Sequence, residues 1–245
     1  MKSEWYKDWF NTDDYLLVYK HRDKSEADQL KNLVLKNIDE EKINYVLDMA
    51  CGAGRHAISF ALKGFDVTAV DLSENLLNTA RSNAEKEKVK VNFVLSDIRN
   101  FQSEKKFDLV LNLFTSFGYF EIDEENAKVI QKAYEVMNNG GWFVLDYLNK
   151  NFILNNLIPI TVENVSGRTI TQIREIKNNR IEKNIRIKNN GKENNYLESV
   201  RLYSKSEIIN MLEKTGFKVI KIFGDFSGSN FDVNSSPRLI VFSKK

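Results

Sequence analysis

The chain has 245 residues, 42% of them hydrophobic and 29% charged, enough to close a buried core and too apolar for wholesale disorder. Its 36 basic and 34 acidic side chains leave a formal net charge of +2, which gives no electrostatic footing for a nucleic acid or an anionic membrane. A single cysteine, Cys51, excludes an intrachain disulfide and a multi-cysteine zinc site. No other metal-ligand constellation is present, and no apolar run nears the roughly 20 residues of a membrane-spanning helix. With charges alternating with aromatics at the N-terminus and no apolar leader there, a soluble, cytoplasmic protein is expected.

In chain order, Trp5, Tyr6, Trp9 and Phe10 recur at a spacing that puts them along one helix face, followed by Tyr15, Tyr19 and Arg22. A second helix is predicted from about Ser25, burying Ala27, Leu30, Leu33, Val34 and Ile38. Alternation then sets in. "NYVLDM" reads as a strand, and Arg55 to Lys63 as a helix with Ile58, Ala61 and Leu62 inward. "FDVTAV" is a strand, and Ser73 to Glu85 a helix with Leu76, Leu77, Ala80 and Ala84 as its apolar stripe. "KVNFVL" and "FDLVLNLF" are strands, and Asp123 to Met137 is a helix whose acidic first turn suits the helix dipole. Asn138 to Gly141 is read as a turn into the strand "WFVLDYL". Strands alternating with helices imply a mainly parallel sheet covered on both faces.

From about Leu157 to Tyr203 the pattern becomes four strands separated by Ser166-Gly167, Asn178-Asn179 and Asn190-Gly191, which is hairpin chemistry. Ile181, Ile185 and Ile187 alternate with polar residues, as in a sheet with one face in water. The Lys-, Arg- and Asn-rich composition reads as a solvated face rather than a binding patch. Ser204-x-x-Glu207 is a capping box opening a helix that closes near Gly216, and two strands, "FKVIKIF" and "RLIVFSK", complete the core. The expected organisation is residues 1–156 as an N-terminal helical lid and cofactor-binding α/β core, 157–203 as an antiparallel insertion over the active site, and 204–245 as the rest of the core.

Function is concentrated in "VLDMACGAGRHA". Gly52-x-Gly54-x-x-Ala57 between a strand and a helix lets backbone approach a ligand and aims helix N–H groups at it. Asp71 ends the second strand, where an acid accepts hydrogen bonds from ribose hydroxyls. Asp48 ends the first strand and Asp97 follows the third, so all three carboxylates face one crevice. A dinucleotide's pyrophosphate would be repelled by Asp48 and Asp97. A cofactor with a ribose and an ammonium group but no phosphate would not, and S-adenosylmethionine has that chemistry.

The motifs "VLDMACGAGRHA", "VTAVDLSENLL", "FVLSDIRNF", "FDLVLNLFTSFGYF" and "VMNNGGWFVLDYL", in this order, resemble those of class I S-adenosylmethionine-dependent methyltransferases. The resemblance runs over residues 43–148 and returns at 205–245. It implies a doubly wound, seven-stranded, mainly parallel sheet with the antiparallel insertion as a cover. By position it implies that Asp48 and the backbone of Ala50, Cys51, Gly52 and Gly54 hold the methionine part. Asp71 would bind the ribose with Leu72 against the adenine, Asp97 and Ile98 would read the adenine edge, and Asn112, Leu113 and Phe114 would lie beside the sulfonium. "NLFTSFGYF" with the insertion is most similar to small-molecule N-methyltransferases, including those of amino sugars, whereas the missing Asn-Pro-Pro-Tyr disfavours adenine and glutamine amide methyltransferases.

Around that frame stand weaker readings. Tyr15, Tyr19 and Arg22 line the cofactor entrance if the aromatic N-terminus is a lid; otherwise it is a packed helix face. Ser116, Phe117, Gly118 and Tyr119 suit an acceptor pocket or a loop packed under the insertion, and Tyr147, Arg201, Tyr203 and Arg238 are further candidates for that pocket. His56, in the first turn of a helix, reads as packing rather than as a base; Cys51 reads as a small loop residue rather than a nucleophile. The expected reaction is in-line methyl transfer to nitrogen or oxygen of a small molecule, governed by alignment. Transfer to protein or RNA, a nicotinamide-dependent oxidoreductase, and a binding protein without turnover are the alternatives.

Overall fold

The computed structural model describes residues 4–20 and 24–245, without the side chain of Lys24. Arg22 lies outside the described residues. Seven strands form one sheet: β1 (Tyr45–Met49), β2 (Asp66–Asp71), β3 (Asn92–Leu95), β4 (Phe107–Asn112), β5 (Met137–Leu148), β10 (Lys218–Phe223) and β11 (Arg238–Lys244), in the order β10-β11-β5-β4-β1-β2-β3. The five strands β1–β5 pair in parallel, while β11 runs antiparallel to both β5 and β10. Strand order reverses between β1 and β4, and the crevice above that reversal is where ligands of open α/β sheets bind.

Period-two alternation sends successive side chains to opposite faces. Val46, Val67, Leu109, Leu111 and Phe242 pack on one face with α3 (Lys24–Asn37), α4 (Arg55–Ala61) and α5 (Glu74–Lys86), through Leu30, Val34, Phe60 and Leu77. Leu47, Met49, Val110, Phe143 and Val241 pack on the other with α6 (Asp123–Val136) and α8 (Lys205–Thr215), through Val129, Ile130, Ile208 and Leu212. The stripe expected on α5 is buried in full, and the Ser204–Glu207 capping box and left-handed Gly216 bound α8 as expected. Leu62 departs from expectation: the helix ends at Ala61 and the side chain is 44% exposed.

Two further departures are local. Asn138–Gly141 is not a turn but an irregular stretch inside β5, where pairing jumps from Phe107↔Met137 to Leu109↔Trp142. The chain's last residue supplies the partners: Gly140 N–H donates to the Lys245 carbonyl at 3.0 Å, and Lys245 N–H to that of Gly141 at 3.1 Å. A short helix not foreseen from sequence, α7 (Lys150–Asn156), follows β5.

The insertion is a separate antiparallel sheet of β6 (Ile160–Val165), β7 (Arg168–Lys177), β8 (Arg180–Asn189) and β9 (Lys192–Arg201). All three expected hairpin dipeptides have both residues at positive φ, the backbone demanded by two-residue turns that match strand twist. Its inner face buries Ile170, Ile185 and Ile187 against Trp5, Tyr6, Trp9 and Val18. The N-terminal aromatics thus lie on two short helices, α1 (Trp5–Trp9) and α2 (Asp13–Val18), the second opened by the Thr12 side chain.

Candidate active site

At the carboxyl ends of β1, β2 and β4 a branched cleft opens under α1, α2 and the second sheet. Its three arms meet at Tyr15 and Tyr119, which border all of them.

The first arm runs past Asp71 and Leu72, Asp97 and Ile98, and Phe117 and Phe120. Asp71 is buried and accepts from Gly52 N–H at 2.7 Å and Ser73 N–H at 2.9 Å. Burial raises its pKa against those N–H groups. It therefore also does the work of a loop staple, the bland role open to any strand-end acid. Burial alone would raise Asp97, but Arg99 grips it through side chain and backbone, with Arg99 Nη2 to Oδ2 at 2.5 Å, and holds its carboxyl below the usual range. Arg99 in turn pairs with Glu125 at 2.6 Å and covers the Phe120 ring.

The second arm is lined by Asp48, Ala50, Cys51, Gly52, Arg55, Leu113 and Phe114. Gly52 has φ +56 and nothing within 4 Å of where a Cβ would stand, so its backbone faces open space. Gly54 is glycine for a different reason. A Cβ there would lie 2.9 Å from that of Ala80, so this residue seats α4 against α5 rather than lining the cleft. Burial pushes the Asp48 carboxyl up to about 7, against a backbone bond from Ala57; neighbouring Asp71 adds to the rise and Arg55 opposes it. Asp48 Oδ2 is buried with no hydrogen-bond partner among the described residues, and the same holds for Asn112 Oδ1. Asn112 stands behind the wall rather than in it, its amide tying the Met49 carbonyl at 3.1 Å to that of Ser116 at 3.2 Å. His56 is buried at the margin of this arm, and Arg55 is engaged by Glu26 at 2.5 Å.

The third arm lies between the two sheets, bounded by Phe114, Thr115 and Arg238 below and by Arg174, Lys183 and Glu198 above, with Tyr19 at its side. Phe114 and Thr115 are consecutive non-glycine residues at φ +58 and +64, a costly backbone that persists only where its surroundings fix it. The fully buried Asp146 does so. Its carboxylate accepts from Phe114 N–H at 2.9 Å and from Arg238 Nε at 2.8 Å, and its own carbonyl accepts from Thr115 N–H at 2.9 Å.

Ser116, Phe117, Tyr119 and Arg238 therefore border the cleft, while Tyr147, Arg201 and Tyr203 do not. Strand parity turns Tyr147 into the core, where its hydroxyl meets the Arg201 carbonyl. Tyr203 donates to Asp123 at 2.6 Å, and burial raises both phenols. Arg201 lines a separate cleft with Asp123 and Arg180. The 116–119 loop satisfies both sequence readings, because the Gly118 carbonyl also accepts from Arg201 N–H at 2.8 Å under the second sheet.

Residues that composition concealed hold the roof. Glu198 accepts from Trp9 Nε1 at 2.7 Å and Tyr19 hydroxyl at 2.5 Å and pairs with Lys183 at 2.5 Å. Burial would raise Glu198, but the Lys183 charge and these bonds outweigh it and lower its pKa. Asp14 likewise accepts from Tyr196 at 2.7 Å and pairs with Arg168 at 2.8 Å. The signal was available in β9, where Tyr196, Glu198 and Val200 share one face and the middle one is an acid.

Comparison with known proteins agrees with this geometry. The profile of a family described as "Methyltransferase domain" matches residues 46–141. The chain is 32% identical over 144 residues to a glycine/sarcosine N-methyltransferase of Aphanothece halophytica, covering 58% of this chain and 53% of that protein. It is 27% identical over 230 residues to dTDP-3-amino-3,4,6-trideoxy-alpha-D-glucopyranose N,N-dimethyltransferase of Streptomyces venezuelae, covering 89% and 94%. The matches to several other curated relatives span about half of those proteins. Among solved structures, an S-adenosylmethionine-dependent methyltransferase from Clostridium acetobutylicum superposes with a TM-score of 0.81 at 18% identity, over 94% of each chain. Residues 46–141 thus match a methyltransferase domain, and the chain shares its fold with an S-adenosylmethionine-dependent methyltransferase along nearly its whole length.

Proposed function

We propose that the protein is an S-adenosylmethionine-dependent methyltransferase that methylates a small amine at nitrogen. The observation that carries this is the second arm, where a buried acceptor in its wall, Asp48 Oδ2, lacks a donor. Buried polar groups are almost always hydrogen-bonded, so a ligand with donor or cationic groups fits here and an anionic pyrophosphate does not. The methyltransferase domain and the N-methyltransferase relatives support the same reading.

In this reading the first arm takes the adenosine: Asp71 accepts from ribose hydroxyls, Leu72 and Ile98 flank the base, and Asp97 accepts from its amino group with lone pairs not used by Arg99. The second arm takes the methionine part, with Asp48 opposite its ammonium and the backbone of Ala50, Cys51 and Gly52 around it. When bound, S-adenosylmethionine supplies an electrophilic methyl on a sulfonium. Phe114, Ser116 and Tyr119 stand where the arms meet, and Tyr15 closes over them. Their task is alignment, and effective molarities of roughly 10⁵–10⁸ M show how much rate positioning alone can supply. Among the described residues the third arm contains no histidine, and its one carboxylate, Glu198, is fully engaged. The amine therefore reacts as its free base, with its own pKa setting the pH at which turnover levels off.

The test is calorimetric titration with S-adenosylmethionine, S-adenosylhomocysteine and NAD. The first two are expected to bind and NAD is not, and Asp71→Ala should weaken the first two about tenfold or more, the size of a lost charged hydrogen bond. Binding of NAD alone would overturn the reading.

A further inference from the structure

The pairing register of the second sheet places three charged residues side by side on its inner face. Arg174 on β7 is directly opposite Lys183 on β8, and Lys183 is directly opposite Glu198 on β9. Like charges directly opposite each other are destabilising. Lys183 is answered by Glu198 at 2.5 Å, with both side chains largely buried. Arg174 is not answered. Its guanidinium reaches only neutral oxygens, Thr161 Oγ1 at 3.1 Å, Gln172 Oε1 at 2.9 Å and the Ile158 carbonyl at 3.5 Å, and it forms no ion pair among the described residues. Arg238 enters the same arm from below, already matched by Asp146. The walls of the arm thus carry one uncompensated positive charge, half-buried, in an arm that neither Asp48 nor Asp71 lines.

We infer that the acceptor carries an anionic group, carboxylate or phosphoryl, which Arg174 binds while the amine points toward Phe114. This rests on the methyltransferase reading above and deepens it. An Arg guanidinium presents a planar fork of donors suited to either anion. The cleft would then select by polarity: acids at the cofactor end favour a cationic ligand there, and the roof favours the acceptor's anion in the third arm.

The experiment titrates protein saturated with S-adenosylhomocysteine with three matched probes: glucosamine, glucosamine 6-phosphate and glucosaminic acid. At least one anionic probe is expected to bind tenfold or more tightly than glucosamine, and the preferred one tells phosphoryl from carboxylate. Arg174→Gln should erase that preference, Arg174→Lys should keep part of it, and S-adenosylhomocysteine affinity should not change. Arg186→Gln, which removes an outward-facing cation from the same sheet, should leave the preference intact. Equal binding of neutral and anionic probes, no saturable binding of either anionic probe, or an unchanged preference in Arg174→Gln overturns the inference. Failure of S-adenosylhomocysteine itself to bind takes down the methyltransferase reading instead.

Discussion

Asp48 holds a carboxylate at a cost. With its pKa at about 7 in the folded protein and near 4 in the unfolded chain, the folded state binds the extra proton between those values. Stability without ligand should therefore be greatest below about pH 4 as far as this group is concerned, and fall as pH rises through 7. Thermal melts from pH 5 to 8 should show a loss in the wild type that Asp48→Asn removes; a loss of the same size in both would mean that Asp48 is not its source. S-adenosylmethionine should respond in the opposite sense, binding more tightly as pH rises and the carboxylate ionises, with a flatter profile in the variant. At this same scale the sequence was partly misleading. The aspartates at the ends of β1 and β2 were legible because a glycine loop announced them. Asp146 was not, although a lone acid in "WFVLDYL" marked it, because the partners of its carboxylate, the Phe114 N–H and the Arg238 guanidinium, are more than thirty residues away.

Among elements, α1 and α2 matter most, because they are fastened to the second sheet by side chains rather than by backbone pairing. Removing one partner of a buried ion pair costs about 3–5 kcal/mol. Glu198→Ala removes the carboxylate shared by Trp9, Tyr19 and Lys183, so a stability loss of that order is expected, together with faster proteolysis of the segment around residues 5–19. Unchanged cleavage there would show that aromatic packing alone holds the helices. Regular elements were readable wherever a period governed them: the α5 stripe, the β1–β5 alternation and the three hairpins. The short helix α7 was not, since none of its residues is buried and it carries no apolar stripe to read. Asn138–Gly141 carries turn residues, yet it belongs to a strand because the far end of the chain pairs with it.

At the scale of the whole molecule, the cleft is bounded by both sheets and by the N-terminal helices, so filling it should stabilise them together. S-adenosylhomocysteine at 100 times its dissociation constant should add about 2.7 kcal/mol. For a chain of this length that corresponds to a rise in Tm of roughly 5–10 °C. A single sharper transition is expected in calorimetry; stabilisation confined to one of two transitions would mean that the roof unfolds independently of the bound ligand. The doubly wound sheet was legible in the order of motifs. The faces of the second sheet were not, because an average over Lys, Arg and Asn hides which charges point inward. Arg186 and Lys188 are exposed as that average suggests, whereas Lys183 and Glu198 are turned toward the cleft.

The Trp9–Glu198 hydrogen bond joins residues 189 positions apart. During synthesis, α1 and α2 leave the ribosome long before any strand of the sheet that holds them exists. Trp5 and Tyr6 can meet Tyr119 and Phe120 earlier, but the Trp9 indole and the Tyr19 hydroxyl find their acceptor only once β9 has been made. A nascent chain halted after β5 would already hold the glycine loop and its carboxylates but not the roof of the third arm, so assembly orders the cleft in time: its floor first, its cover last.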